Sequence, residues 1–155
     1  MAEEPLSLQE ISDRIRIQDL LVRYTAAIDR KDWKLLDTVF TPDATVDYTT
    51  SGGIRGSYPE VRAWLQKALA AFPMTQHLIG NSELELHGDE ARCRTMVFNP
   101  MGGQKPEGGL QIFYVGAYYV DRLVRTAEGW RIAERFEEQA FFDGALPEGH
   151  RIPES

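Results

Sequence analysis

Pro73 divides this sequence by hydrophobic period. Ahead of it, apolar residues recur mostly every three to four positions, as on one face of a helix. Behind it, short runs alternate between apolar and polar, as on a strand. Ser7 with Glu10 forms a capping-box pattern that starts a first helix, and Ile17, Leu20, Leu21, Tyr24 and Ile28 follow at helical spacing. Arg30-Lys31-Asp32 is a polar break, and Asp32 is placed to cap a second short helix carrying Leu35, Leu36, Val39 and Phe40. Thr41-Pro42-Asp43 ends that helix. Ala44–Thr50 reads as one early strand, with Val46 and Tyr48 on one face and Asp47 on the other, before a turn at Ser51-Gly52-Gly53. Ser57 with Glu60 repeats the capping box, with Pro59 in the first turn, where its missing N–H costs nothing. Val61, Trp64, Leu65, Ala68, Leu69 and Phe72 give that third helix its apolar face.

The second half reads as strands over Met74–Ile79, Glu83–His87, Ala91–Asn99, Leu110–Arg125 and Trp130–Phe142. Gly80-Asn81 is a break, Gly88-Asp89 a hairpin turn, and Gly116 a bend or bulge. Pro100–Gly109, rich in Gly and Pro, reads as a loop and a candidate for a mobile one over a cavity, and the tail from Gly144 as irregular. Helices first and a meander of long strands after them predict an α+β fold, with helices packed on one face of a curved, mostly antiparallel sheet. The 155 residues suit a single domain over 1–155, its core spanning about 7–142.

Charge narrows the function classes. A net charge of -7 disfavours a nucleic-acid partner, which wants a basic face, and an anionic membrane surface. Cys93 is the lone cysteine, so no internal disulfide is expected; a small buried residue is the reading of it. The start of the chain carries neither a basic segment nor an apolar segment of a signal peptide, and no run reaches the ~20 apolar residues of a membrane helix. A cytoplasmic protein is expected. No His, Cys, Asp or Glu group has metal spacing, and Gly102-Gly103 and Gly108-Gly109 do not open a helix, so neither a metal nor another cofactor is expected. His87 and His150 adjoin turn or tail residues and are expected in solvent. Trp33, Trp64 and Trp130 are expected in the core.

His77, in Pro-Met-Thr-Gln-His-Leu-Ile-Gly-Asn, is the remaining histidine. Imidazole titrates nearest neutral pH and carries protons when something orients it. Asp29, at the end of the first helix, is the candidate orienter. An anion at a helix C-terminus opposes the helix dipole, which hints at another use. The residues alone leave both open, between a satisfied core histidine beside an ordinary helix-end acid and a catalytic pair. Tyr24 and Asp29 lie about 140° apart on an ideal helix, so both border one cavity only if the helix is embraced by it or distorted. Tyr24 and Tyr48 read equally as core aromatics or as hydrogen-bond donors to a ligand. By strand alternation Arg94, Asn99, Tyr114, Tyr118 and Glu138 are further candidates for a pocket wall.

Ile28-Asp29-Arg30-Lys31-Asp32-Trp33, Val46-Asp47-Tyr48 and Thr75-Gln76-His77-Leu78-Ile79-Gly80 resemble, in order and spacing, scytalone dehydratase and its relatives among the SnoaL-like proteins. These belong to the nuclear-transport-factor-2-like superfamily, the cystatin-like α+β barrel. Lindane dehydrochlorinase, another relative, has a helix-end Asp and a strand His at similar spacing. The resemblance spans roughly Ser7 to Phe142 and implies a conical pocket under the helices. It implies His77 as general acid/base, Asp29 as its orienting partner, and Tyr48 as a residue that helps hold a water against a substrate carbonyl. Departures are equally specific. A second histidine of the dehydratase falls at Met101, its Ser and Asn at Val115 and Ala117, and the Tyr before its Asp at Ile28.

The proton-moving pair is kept and the substrate-polarising set is largely gone, so scytalone is not the expected substrate. The expectation is a cofactor-independent lyase, dehydratase-like, or an isomerase. His77 and Asp29 would be catalytic, and Tyr24, Tyr48, Asn99 and Tyr118 would bind a small hydrophobic molecule, cyclic or aromatic ones included. The alternative is a non-catalytic ligand-binding or oligomerisation domain of the same fold. The resemblance implies a homodimer or homotrimer formed through the sheet, and Tyr118, Tyr119, Phe136, Phe141 and Phe142 offer more apolar surface than one core needs.

Overall fold

The computed structural model describes residues 4–150 and Pro153. The elements run α1 (Leu8–Arg30), α2 (Trp33–Leu36), β1 (Phe40–Asp47), β2 (Arg55–Ser57), α3 (Tyr58–Ala70), β3 (Met74–Thr75), β4 (Leu78–His87), β5 (Glu90–Gln104), β6 (Leu110–Thr126) and β7 (Gly129–Asp143). The sheet order is β2-β1-β7-β6-β5-β3, with β4 also on β5. Every pairing is antiparallel except β1 with β7, which is parallel. Three helices thus cover one face of a strongly curled mixed sheet, a half-barrel, as α+β patterning predicts. No helix among the described residues is long and apolar enough to cross a membrane.

The helix starts follow their caps. Ser7 N–H donates to Glu10 Oε2 at 2.8 Å and Glu10 N–H to Ser7 Oγ at 3.2 Å. Asp32 Oδ1 accepts from Leu35 N–H at 3.0 Å, and Ser57 N–H donates to Glu60 Oε2 at 2.8 Å. Ile17, Leu20, Leu21, Tyr24 and Ile28 all lie buried against the concave face of the sheet, so the predicted stripe of α1 is its core face. Gly88 takes φ 65° in a two-residue hairpin, His87 pairing with Glu90, where a Cβ would be strained.

The structure overrides five local expectations. α2 stops at Leu36, and Phe40 instead opens β1, because Ile132 N–H of β7 donates to Val39 O at 2.9 Å and fixes the parallel start. Pro42 falls in the irregular step of that pairing between Phe40 and Thr45, where no ladder N–H is required. β1 ends at Asp47, not Thr50: Asp47 Oδ1 accepts from Thr49 N–H at 3.0 Å and folds the chain into a short 3-10 turn. Gly80-Asn81 is a bulge inside β4 and not a break. β5 continues through Pro100 to Gln104, leaving 105–109 as the loop, because β6 pairs with it along its whole length and the tail packs Pro147 onto Gly103. His150, expected in solvent, packs its ring 5.7 Å from that of Phe72.

Asp13 anchors the far end of the cone. It is 3% exposed, accepts from Arg125 at 2.6 and 2.8 Å, and accepts from Trp130 Nε1 at 2.9 Å. The Arg125 hydrogen bonds, above all, hold its carboxyl well below the usual carboxylate range. A depressed folded-state pKa stabilises above the unfolded value near 3.9, and that stability is lost as pH falls below it. Asp13→Asn is therefore expected to cost about 1–3 kcal/mol at pH 7. It should also flatten the decline of stability between pH 4 and pH 2 relative to wild type. Urea melts across that range check it, and parallel curves would contradict the assignment.

Candidate active site

Pro100 creates the irregularity that holds His77. β3 and β4 share one register on β5, Thr75 opposite Met101 and Leu78 opposite Phe98, so Gln76 stands opposite Pro100 and His77 opposite Asn99. In an antiparallel ladder, a residue's N–H and C=O point to the same neighbour. Pro100 O accepts from Gln76 N–H at 3.1 Å, but Pro100 has no N–H to return, and the edge strand loosens at 76–77. The next N–H, that of His77, points away from β5, and the end of α1 meets it there. Asp29 Oδ2 accepts the His77 backbone N–H at 2.9 Å.

The same carboxylate takes the ring. Asp29 Oδ1 lies 2.6 Å from His77 Nδ1 and accepts from Thr75 Oγ1 at 3.0 Å. Beside an ionised carboxylate, Nδ1 carries the proton, which leaves the lone pair of a neutral imidazole on Nε2. Partial burial works to raise the Asp29 carboxyl. The hydrogen bonds and charge of His77, with the Thr75 hydroxyl, outweigh it and hold the pKa below its usual value. The His77 side chain is 4% exposed and Asp29 23%. The arrangement removes the angular conflict between Tyr24 and Asp29: Tyr24 faces the cavity, and Asp29 stands behind His77 without lining it.

That cavity has a volume of about 220 Å³, below the ~300–1,000 Å³ of pockets that take drug-sized ligands. Trp64, Phe72, Met101, Phe113, Phe142 and Leu146 make an apolar wall, and His77, Asn99, Glu137 and Gln139 bring polar groups to it. Tyr24 and Tyr48 join their hydroxyls at 2.8 Å in its wall, and burial pushes both phenols up, so both stay neutral donors. Asn99 Oδ1 is buried without a hydrogen-bond partner. Trp64, expected in the core, lines the cavity and donates from Nε1 to Pro153 O at 2.9 Å. Leu146 and the fully buried Pro147 bring the irregular tail over the same opening. Beneath the cavity Asp121 and Arg135 form an ion pair, 2.7 Å on both arms, with both side chains 0% exposed. The Arg135 guanidinium stacks 4.1 Å from the Tyr24 ring centre and 4.0 Å from that of Tyr119. Among the described residues no group of three His, Cys, Asp or Glu is arranged to hold a metal ion. A wider depression of about 790 Å³ lies on the outer face of the sheet, among Glu83, Glu85, Arg92, Arg94 and Arg122, with Val120 and Phe136 beside them; it lies away from His77.

Of the predicted ligand contacts, Tyr24, Tyr48 and Asn99 line the cavity with His77, and Tyr118 does not. Tyr118 points to the outer face, where the Arg94 guanidinium sits 3.5 Å over its ring and reaches Glu138 at 3.3 Å. The cavity residues of these strands are their neighbours Tyr119 and Glu137, which sequence alternation missed. The cause is a pair of bulges on β7. Its register against β6 slips between Arg122 and Leu123 and again between Gly116 and Ala117, leaving Ala133 and Ala140 unpaired. Each slip moves the inward face by one residue: Trp130 and Ile132, then Arg135, Glu137 and Gln139, then Phe142. Counting straight from Trp130 selects Glu138. Gly116, the one bulge signal in the sequence, marks only the second slip. On β6, three consecutive large residues, Tyr118-Tyr119-Val120, give alternation nothing to choose by.

The sequence profile of the SnoaL-like domain family matches residues 9–136. The Mycobacterium tuberculosis (strain H37Rv) protein Rv2910c is 46% identical over 138 residues, 88% of this chain and 91% of that one. Among solved structures, a type 2 hexachlorocyclohexane dehydrochlorinase (LinA) superposes with a TM-score of 0.76 at 21% identity, covering 94% of this chain and 97% of its own. A candidate scytalone dehydratase from Novosphingobium aromaticivorans superposes with a TM-score of 0.76 at 17% identity, over 92% and 97%. At these identities the two structures show the fold alone, the same helix-covered, strongly curled sheet.

Proposed function

This chain belongs to the SnoaL-like domain family, and on that premise we propose that it is a cofactor-independent lyase or isomerase, dehydratase-like in chemistry. The carrying observation is the 2.6 Å contact between Asp29 and His77 at the wall of an apolar cavity. In this reading Asp29 holds the Nδ1–H tautomer, and His77 Nε2 takes a proton from a carbon next to a carbonyl or a leaving group. The low polarity around the pair strengthens every charge that develops there. Tyr24, Tyr48 and Asn99 hold the polar end of the substrate and the aromatic wall takes the rest. A cavity of this size favours a single small ring. The two structural neighbours carry names of eliminations, dehydration and dehydrochlorination, which favours elimination over isomerisation here.

The test is 3-hydroxycyclohexanone in D₂O, followed by ¹H NMR. The protein should speed both exchange of the C2 protons and appearance of cyclohexenone. Equal rates with and without protein, for this and related small cyclic ketones, would sink the reading. A second reading rests on Met101 and Val115, apolar wall residues that polarise no carbonyl. A non-catalytic binding domain would bind the ketone, return it unchanged, and do so equally with His77 replaced.

The outer sheet face supports self-association. Met96, Phe98, Tyr114, Val120 and Phe136 are each between 37 and 41% exposed there, and Phe98 stacks on Tyr114 at 5.7 Å. Tyr119, counted with them from sequence, is core at 2%. Light scattering is expected to give the mass of a homodimer or homotrimer, and Phe136→Glu to lower it. A wild-type mass of one chain would contradict the assignment.

A further inference from the structure

Glu137 has no part in the Asp29–His77 pair, yet it reaches the same cavity. Its strand neighbours Phe136 and Glu138 face outward, so the bulge at Ala133 is what turns this carboxyl in. No ion pair ties it down among the described residues; the Ser51 hydroxyl adjoins its carboxyl, and its backbone carbonyl accepts from Thr50 Oγ1. It stands near enough to His77 and Arg135 for their charges to act on it, and its own charge reaches the Tyr24 and Tyr48 phenols. The Tyr24 ring packs edge-on 6.2 Å from the His77 ring and its hydroxyl meets Tyr48, so one wall carries His77, the two phenols and Glu137 in turn. Unpaired carboxylates are costly to bury, and the usual escape is to stay protonated.

We propose that Glu137 is the general acid that protonates the leaving oxygen when a β-hydroxy carbonyl compound is dehydrated in this cavity. The step rests on the base reading of His77. His77 Nε2 takes the proton from the carbon next to the carbonyl, and the C–H electrons form the C=C bond. The C–O bond breaks as Glu137 delivers its proton, and water leaves. His77 ends protonated and Glu137 ionised, and one proton passing back resets both. Enclosure in the cavity pushes the Glu137 carboxyl up against the opposing pulls of Ser51, His77 and Arg135, which favours its protonated, donating form. A neutral carboxylic acid in an apolar site is a known way to keep such a donor.

The experiment compares wild type with Glu137→Gln on two ketones that share a ring, 3-hydroxycyclohexanone and 3-chlorocyclohexanone, with C2 deuterium exchange measured alongside. Hydroxide is a poor leaving group that gains greatly from a proton, and chloride needs none. The expected result is a loss in dehydration of about 10²-fold or more, at least tenfold greater than the loss in chloride elimination or in exchange. Equal losses in all three, or none, overturn the general-acid role while leaving His77 as base. Failure of wild type in all three overturns the base reading and this step with it. Infrared difference spectra of wild type minus Glu137→Gln at pH 7 give a readout free of activity. A carboxylic-acid C=O band is expected, and a carboxylate band in its place overturns the proposal.

Discussion

Replacing His77 by glutamine is expected to slow ketone turnover by about 10²–10⁴-fold with the fold intact. Glutamine keeps a polar side chain of similar length, and the backbone N–H that Asp29 Oδ2 accepts at 2.9 Å is untouched, so 76–77 stays pinned to α1. What it removes is the basic nitrogen. Asp29→Asn separates orientation from chemistry. The carboxamide still reaches both His77 groups, but no longer demands the Nδ1–H tautomer, and the rate is expected to fall while ketone binding holds. Nitrogen-15 NMR of the ring reports the tautomer directly, with Nδ1 protonated in wild type and mixed in the variant. Wild-type rates in His77→Gln would end the acid–base reading. An unchanged tautomer in Asp29→Asn would mean that something other than the 2.6 Å contact sets the proton's place.

Asp121→Asn is expected to cost about 3–5 kcal/mol and lower Tm by roughly 10 °C or more. Arg135 is 0% exposed and remains charged, and its Nη1 already lacks a partner. Two charge-assisted bonds of 2.7 Å to Asp121 are what balance its burial. The effect also reaches the cavity, because Tyr24 and Tyr119 both pack on that guanidinium. The double variant Asp121→Asn/Arg135→Met removes the buried charge itself and is expected to recover most of the loss. Chemical denaturation measures both, and a near-neutral Asp121→Asn would mean that water reaches the pair.

Neither Arg135 nor Asp121 announces its partner in the sequence. They lie on different strands, each between residues of ordinary strand composition, and what makes them matter is that both are enclosed. Asp29 and His77 were legible for a different reason. Local signals bounded their positions, the end of a capped helix and a short run after Pro73. The SnoaL-like resemblance of the segments around them joined the two. Tyr118 and Glu138 failed where alternation alone was the guide.

The chain by itself determined where its three helices start, their order ahead of the strands, and the faces that α1 and α3 bury, because caps, helical spacing and proline stops act over a few residues. It also carried the cause of the loosened edge at His77, since proline has no N–H to give in any register. Tertiary structure alone decided which side of β7 faces the cavity. The extra residues at Ala133 and Ala140 become bulges only against β6, and each reverses inside and outside for everything beyond it. Glu137 belongs to the cavity because of pairing that no local pattern encodes.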